Sequence, residues 1–275
     1  MLNGFFSTFM LVSRIRIPFD QKPDYRDFAI YVPLIGLIVS FYNIIVFCIT
    51  GFFLRDYILT GVLVLVFQYL AFNLFHFDGL LDTADAFLCF TDKEKRLKIL
   101  KDSVIGVFAF FTGGIYLFLK FYLFIVLMQK SVLIPLHTYL FDPKKYISLL
   151  IILAFPVCGR ISAVILPVFL NPARKTGLGS LLSDYNPLKA VIGIFIVLFL
   201  LFLLLISSMP VIKILYFFLI LLTAALLSFL FVYRVYRRGI GGLTGDAMGC
   251  VIETGELVYL LLVFILQTHF PGIIL

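Results

Sequence analysis

The chain has 275 residues, 63% hydrophobic and only 13% charged, with a mean hydropathy of +1.14. Soluble globular domains carry about 25% charged residues, so this composition excludes them and predicts an all-α, polytopic integral membrane protein. The net charge of +7 does not point to nucleic acid, because the lysines and arginines sit in short loops and form no stripe on one face.

Runs of about 20 apolar residues predict about seven transmembrane helices, over 28–53, 57–77, 107–128, 146–170, 189–207, 211–233 and 248–269. No internal repeat and no composition shift suggests a soluble second domain, so 1–275 reads as a single membrane-embedded domain. Under alternating spans, 15 of the 22 Lys and Arg fall on the side of the N-terminus and 5 on the other, with Lys120 and Arg160 inside spans. The positive-inside rule then puts the N-terminus in the cytoplasm and the C-terminus outside.

Residues 1–27 read as a cytoplasmic arm or surface helix, in which Ile15, Ile17 and Phe19 interleave with Arg14, Arg16 and Asp20. No cleavable signal stands out, so the first span is expected to remain as an anchor. It contains Pro33 and Gly36, which membrane helices tolerate where neighbours satisfy the freed backbone groups.

The second span leads into FHFDGLLDTADAF, residues 75–87, expected to emerge at the cytoplasmic face. On a helix, the spacing of Asp78, Asp82 and Asp85 puts all three within about 60° of one another. Like charges that close repel unless a cation sits among them. Hard carboxylate oxygens suit Mg²⁺ or Mn²⁺, which bind commonly through one or two protein carboxylates plus substrate phosphates. His76, alone at a span end, has as its plainer reading a headgroup-level or capping residue.

TDKEKRLKILKDS follows as a short helix, offering Arg96 and Lys101 to anionic groups or to lipid headgroups. In the fourth span Arg160 follows Pro156 and Gly159, and a guanidinium at that depth needs a partner or water. A broken helix facing a polar cavity would accommodate it. The loop NPARKTGLGSLLSDYNP brings Arg174, Lys175, Gly177 and Gly179 to the side of the aspartates, where they can cradle a phosphate; a plain flexible connector explains it equally well. Spans five and six carry almost no polar residue. The cysteines Cys48, Cys89, Cys158 and Cys250 show no ligand spacing and read as packing residues.

The last informative stretch is RGIGGLTGDAMGCVIETGE, residues 238–256, a glycine-rich turn with Gly242, Thr244 and Gly245 leading into a span that begins with acids. Asp246 and Glu253 nearly eclipse on a helix, with Glu256 about 80° away, so the three are expected to face one cavity. The alternative for Glu253 and Glu256 is an ion pair with Arg160 or Lys120. Two acidic clusters on one face beside basic loops are the parts of a metal-dependent site for a phosphate or pyrophosphate substrate.

These stretches, HxDGLxDTxD at 76–85, LKILKDSVIG at 97–106, the GLGS loop and GGxTGDxxGxxxExxE at 241–256, resemble the cobalamin synthase family, adenosylcobinamide-GDP ribazoletransferases, over essentially the whole chain. The resemblance implies a Mg²⁺-dependent transfer in the last steps of cobalamin nucleotide-loop assembly, in a prokaryotic cytoplasmic membrane. A ribose hydroxyl of α-ribazole, or of its 5′-phosphate, would attack adenosylcobinamide-GDP and expel GMP. It also implies Asp78, Asp82 and Asp246 as metal ligands and a catalytic set of His76, Asp85, Glu253 and Glu256, with Asp85 or a second-cluster acid as the base. Lys101, Arg160, Arg174, Gly177, Gly179, Gly242, Thr244 and Gly245 would bind substrate. Ala86 stands where a glycine is common in the family, and a basic residue and a Thr-His pair usual near 104–108 are absent.

Two other classes remain open at this point. A membrane phosphotransferase acting on CDP-linked alcohols also uses membrane-edge aspartates, but its motif has AR two residues after DG, where Leu80, Leu81 and Asp82 follow Gly79 here. A cation transporter would place acids near the bilayer midplane. The oligomeric state, a homo-oligomer included, is not written in the sequence.

Overall fold

The computed structural model describes residues 2–18, 22–131, 143–175, 177–182 and 185–272. Eleven α-helices are found among them: α1 Leu2–Leu11, α2 Phe28–Leu54, α3 Tyr57–Gln68, α4 Leu74–Leu88, α5 Lys93–Ile99, α6 Val107–Ser131, α7 Pro143–Ile152, α8 Phe155–Phe169, α9 Pro187–Ile206, α10 Val211–Gly239 and α11 Gly245–His269. Seven helical segments are long and apolar enough to cross a membrane, at positions close to the expected spans. Outward-facing Phe53, Phe110 and Leu219 remain largely exposed, as side chains meeting lipid tails must.

Two helices organise the bundle. α8 is buried along almost its whole length, and α11 packs against α4, α8 and α10. α7 and α8 form one span interrupted at Leu153 and Ala154. Pro156 explains the break, since it lacks an N–H and disfavours helical geometry in the residue before it. Gly159 on α8 and Gly255 on α11 then let the two backbones touch, a Cβ on Gly255 falling 2.8 Å from the Gly159 Cα. Small residues permit such close approach between membrane helices.

Two expectations change. The helix expected to end near residue 77 runs on to Leu88: α3 and α4 are joined by a π-helical turn, Tyr69–Asn73, so the aspartate motif extends a helical rod. The N-terminal arm is not a surface segment throughout, because α1 docks against α2 with Gly4, Ser7, Thr8 and Phe9 buried.

Candidate functional site

α4 and α11 cross with backbones in contact at one end of the bundle. A Cβ on Gly79 would fall 2.8 Å from the Asp246 carbonyl oxygen, and one on Gly249 would fall 2.7 Å from the His76 carbonyl oxygen. One glycine from each motif therefore lets Asp246 stand beside the helix that carries Asp78 and Asp82. Asp78 is exposed, and Asp82 and Asp246 are half-buried. None of the three has a salt-bridge partner among the described residues.

The wall beside Asp246 comes from the loop after α8. Leu243 N–H donates to the Asn171 carbonyl at 2.8 Å and Ala173 N–H to the Leu243 carbonyl at 2.9 Å, and Gly242 is pressed against Ala173. Gly177 takes a left-handed φ of +99°, a conformation that costs glycine nothing. The loop encloses a cavity of about 200 Å³ lined by Leu100, Arg174, Gly177, Gly179, Ser180, Leu243, Thr244, Gly245 and Asp246. Thr244 caps α11, its hydroxyl accepting the Ala247 N–H at 3.3 Å. The helix's N-terminal end, where unpaired N–H groups and the dipole favour an anion, thus opens on the cavity. Arg174 donates through Nη2 to the Leu97 carbonyl at 2.6 Å and keeps a buried Nε without a partner among the described residues.

Of the residues expected to bind substrate, Arg174, Gly177, Gly179, Thr244 and Gly245 meet in this cavity, with Gly242 just behind it. Lys101 is exposed, next to the lining residue Leu100. Arg160 is elsewhere, fully buried in the bundle.

The acids divide in the same way. Asp85 turns both carboxylate oxygens to the start of α6, accepting the Gly106 N–H at 2.6 Å and the Ala109 N–H at 2.9 Å, so it caps that helix and complements its dipole. Asp246, Glu253 and Glu256 do not share one cavity, as helical phase alone suggests. Glu253 and Glu256 lie farther along α11 with no exposed surface, in the ion-pair alternative. Lys120 Nζ is 3.0 Å from Glu253 and 2.7 Å from Glu256, and Arg160 Nη1 is 3.0 Å from Glu256.

Two carboxylates facing two cations leave this buried cluster neutral, with no surplus negative charge for a transported cation. Uncharged groups complete it. Asn73 Nδ2 donates to Glu253 at 2.7 Å and to Glu256 at 3.1 Å, Gln68 Nε2 to Glu256 at 3.0 Å, and the Tyr69 and Tyr116 hydroxyls to Glu253 at 2.8 and 2.5 Å. The wider π-helical turn holds Tyr69 and Asn73 on the same carboxylate, and such turns recur at functional positions. Sequence reading missed Gln68, Tyr69, Asn73 and Tyr116. The available signal was the two amides, which need partners inside an apolar span.

His76 lies two residues from Asp78 and so near the opposite side of α4. It lines a pocket of about 200 Å³ with Val12, Phe28, Phe75, Met248 and Ile252, and its Nδ1 has no hydrogen-bond partner among the described residues.

Among the described residues no three His, Cys, Asp or Glu side chains are gathered into a ready metal cage. The donor chemistry nevertheless fits Mg²⁺. Asp78, Asp82 and Asp246 bring hard carboxylate oxygens to one helix crossing with no salt bridge among the described residues, and Mg²⁺ ordinarily takes only part of its shell from protein and the rest from water and phosphate.

Fold and site together define a multi-pass membrane protein whose uncompensated acids adjoin a small arginine-bearing cavity at one end of the bundle. Residues 4–264 match the CobS family, cobalamin-5-phosphate synthase, and the chain belongs to that family. It is similar to proteins named adenosylcobinamide-GDP ribazoletransferase from three bacteria. The Thermosipho melanesiensis protein is 33% identical, over 95% of this chain and 99% of the relative. The Kosmotoga olearia protein is 30% identical, over 94% and 96%. The Clostridium botulinum protein is 30% identical, over 97% and 99%. No solved structure matches the chain.

Proposed function

We propose that this protein is an adenosylcobinamide-GDP ribazoletransferase that works with Mg²⁺ at the cytoplasmic end of its helical bundle. Family membership and relatives matched at near full length support the activity. The observation that carries the site is the crossing of α4 and α11 at Gly79, which sets the two acidic motifs side by side.

In the reaction a ribose hydroxyl of α-ribazole, or of its 5′-phosphate, attacks the cobinamide-side phosphorus of the diphosphate. A new P–O bond forms, the bond to the guanosine-side phosphate breaks, and GMP leaves. Bound Mg²⁺, held by Asp78, Asp82 and Asp246, would neutralise charge on the phosphate oxygens. Arg174, the α11 N-terminus and the Gly177–Gly179 turn hold the remaining phosphate charge. The hydroxyl proton goes to a carboxylate oxygen of the Asp78, Asp82, Asp246 group, because the oxygens of Asp85, Glu253 and Glu256 are engaged elsewhere. Those three acids, with Lys120 and Arg160, fix the helices that carry the site.

The side with 15 of the 22 basic residues supports a cytoplasmic location for this end, where soluble phosphorylated substrates are found. The deciding experiment incubates the protein, reconstituted in nanodiscs, with Mg²⁺, adenosylcobinamide-GDP and α-ribazole. Equal yields of GMP and a cobalamin are expected; GMP without a cobalamin, or neither, overturns the reading.

A further inference from the structure

A second and larger cleft, about 710 Å³, opens between α4, α6, α10 and α11. Leu80, Thr83, Ala84 and Phe87 form its α4 wall, on the face of that helix roughly half a turn from Asp78 and Asp82. It is therefore separate from the acidic site. Its rim carries Phe111 and Phe231, which are 66% and 57% exposed, so it opens sideways between α6 and α10, where lipid tails lie.

Apart from the Thr112 hydroxyl, the cleft offers an occupant almost no hydrogen bond along its length. The Thr83 hydroxyl is shared between the Gly79 carbonyl at 2.6 Å and the Tyr236 hydroxyl at 2.7 Å. The Thr254 hydroxyl donates to the Cys250 carbonyl at 2.7 Å, and Tyr116 is committed to Glu253. Whatever fills the cleft is apolar over most of its length.

At one end the chemistry changes. Arg96 from α5 and Arg238 from the last turn of α10 both line the cleft. The Arg96 guanidinium stands 5.5 Å over the Phe87 ring and donates through Nη1 to the Gly239 carbonyl at 3.3 Å, yet its Nε is buried without a partner among the described residues. Among the described residues neither arginine has an acidic partner. Two uncompensated guanidinia above an apolar slot match a molecule with an anionic, fork-accepting head and a hydrocarbon tail.

We propose that the cleft holds one acyl chain of an anionic phospholipid, its phosphate between Arg96 and Arg238. Basic pockets between membrane helices are suited to anionic headgroups. A tail gains little by leaving lipid for an equally apolar cleft, so selection acts through headgroup charge and not through chain length. The lipid would tie α5 to α10, and α5 is the helix whose Leu97 carbonyl receives Arg174. Lipid charge thereby reaches the cavity that contains Asp246.

The test reads lipid binding on substrate-free protein, so it stands or falls apart from the transferase reading. Protein is exchanged into nanodiscs of equal phosphatidylglycerol and phosphatidylcholine, released, and analysed by native mass spectrometry. Wild type is expected to retain phosphatidylglycerol with roughly tenfold preference, given two basic groups at the surface. Arg96→Gln with Arg238→Gln should abolish that preference, and Thr112→Phe, which fills the cleft from a half-buried position, should lower the amount of bound lipid of either kind. Equal retention of both lipids by wild type, a preference that survives the double substitution, or undiminished lipid in folded Thr112→Phe protein would each overturn the proposal.

Discussion

Gly79 and Asp246 are in backbone contact: a side chain on Gly79 would place its Cβ 2.8 Å from the Asp246 carbonyl oxygen and 3.0 Å from its Cα. They are 167 positions apart in sequence (246 − 79), and their contact sets the two acidic motifs side by side.

Replacing either glycine of the crossing should therefore separate the motifs. Within an exposed helix, alanine is favoured over glycine by about 1 kcal/mol, so a loss here reports packing. Gly79→Ala and Gly249→Ala are expected to lower both Tm in detergent and turnover, whereas Gly114→Ala, where a Cβ meets nothing within 4 Å, should leave turnover unchanged and raise Tm slightly if at all. Wild-type turnover in Gly79→Ala would count against the crossing as the basis of the site.

Two aspartates three residues apart should behave differently. Asp82→Asn is expected to abolish GMP release while Tm stays within a degree or two of wild type, since its carboxylate has no salt bridge to lose among the described residues. Asp85→Asn keeps only one acceptor oxygen for the start of α6, so stability should fall by about 1 kcal/mol with partial activity retained. Thermal unfolding and turnover on the same preparations distinguish the two roles.

The proposed metal site at Asp78, Asp82 and Asp246 predicts a dependence on divalent cations. Removing divalent ions with EDTA should stop turnover, and Mg²⁺ or Mn²⁺ should restore it, because both accept oxygen ligands in octahedral geometry. Full activity in metal-free enzyme, verified by elemental analysis, would refute the ligand assignment for Asp78, Asp82 and Asp246.

Arg174 should act on binding more than on the chemical step. Arg174→Ala removes a charge-assisted contact, and a rise in KM for adenosylcobinamide-GDP of tenfold or more is expected. Steady-state kinetics showing the whole effect in kcat would move Arg174 from holding phosphate to stabilising the reacting group.

The buried cluster should matter to stability before catalysis. Lys120→Met leaves Glu256 with Arg160 alone and Glu253 with no cationic partner among the described residues, and loss of one partner from such a buried pair costs about 3–5 kcal/mol. Lys120→Met combined with Glu253→Gln should recover part of that loss, which a double-mutant cycle in chemical unfolding measures. Additive losses would show that the two groups are not coupled.

By itself the sequence determined the membrane class, the approximate positions of the seven long apolar helices, and the helical phase that gathers Asp78, Asp82 and Asp85 on one face of α4. These depend on hydropathy and on a 3.6-residue period, which are local properties of the chain. Only the tertiary structure decided which acids stay available. Asp85 is spent on α6 and Glu253 and Glu256 on Lys120 and Arg160, while Asp78, Asp82 and Asp246 have no such partner among the described residues. Helical spacing specifies direction around an axis, but availability depends on what the neighbouring helices present, and those neighbours come from residues dozens to nearly two hundred positions away. For the same reason Gln68, Asn73 and the π-helical turn between them escaped a periodicity argument: a polar side chain inside an apolar span announces that it needs a partner without naming which one.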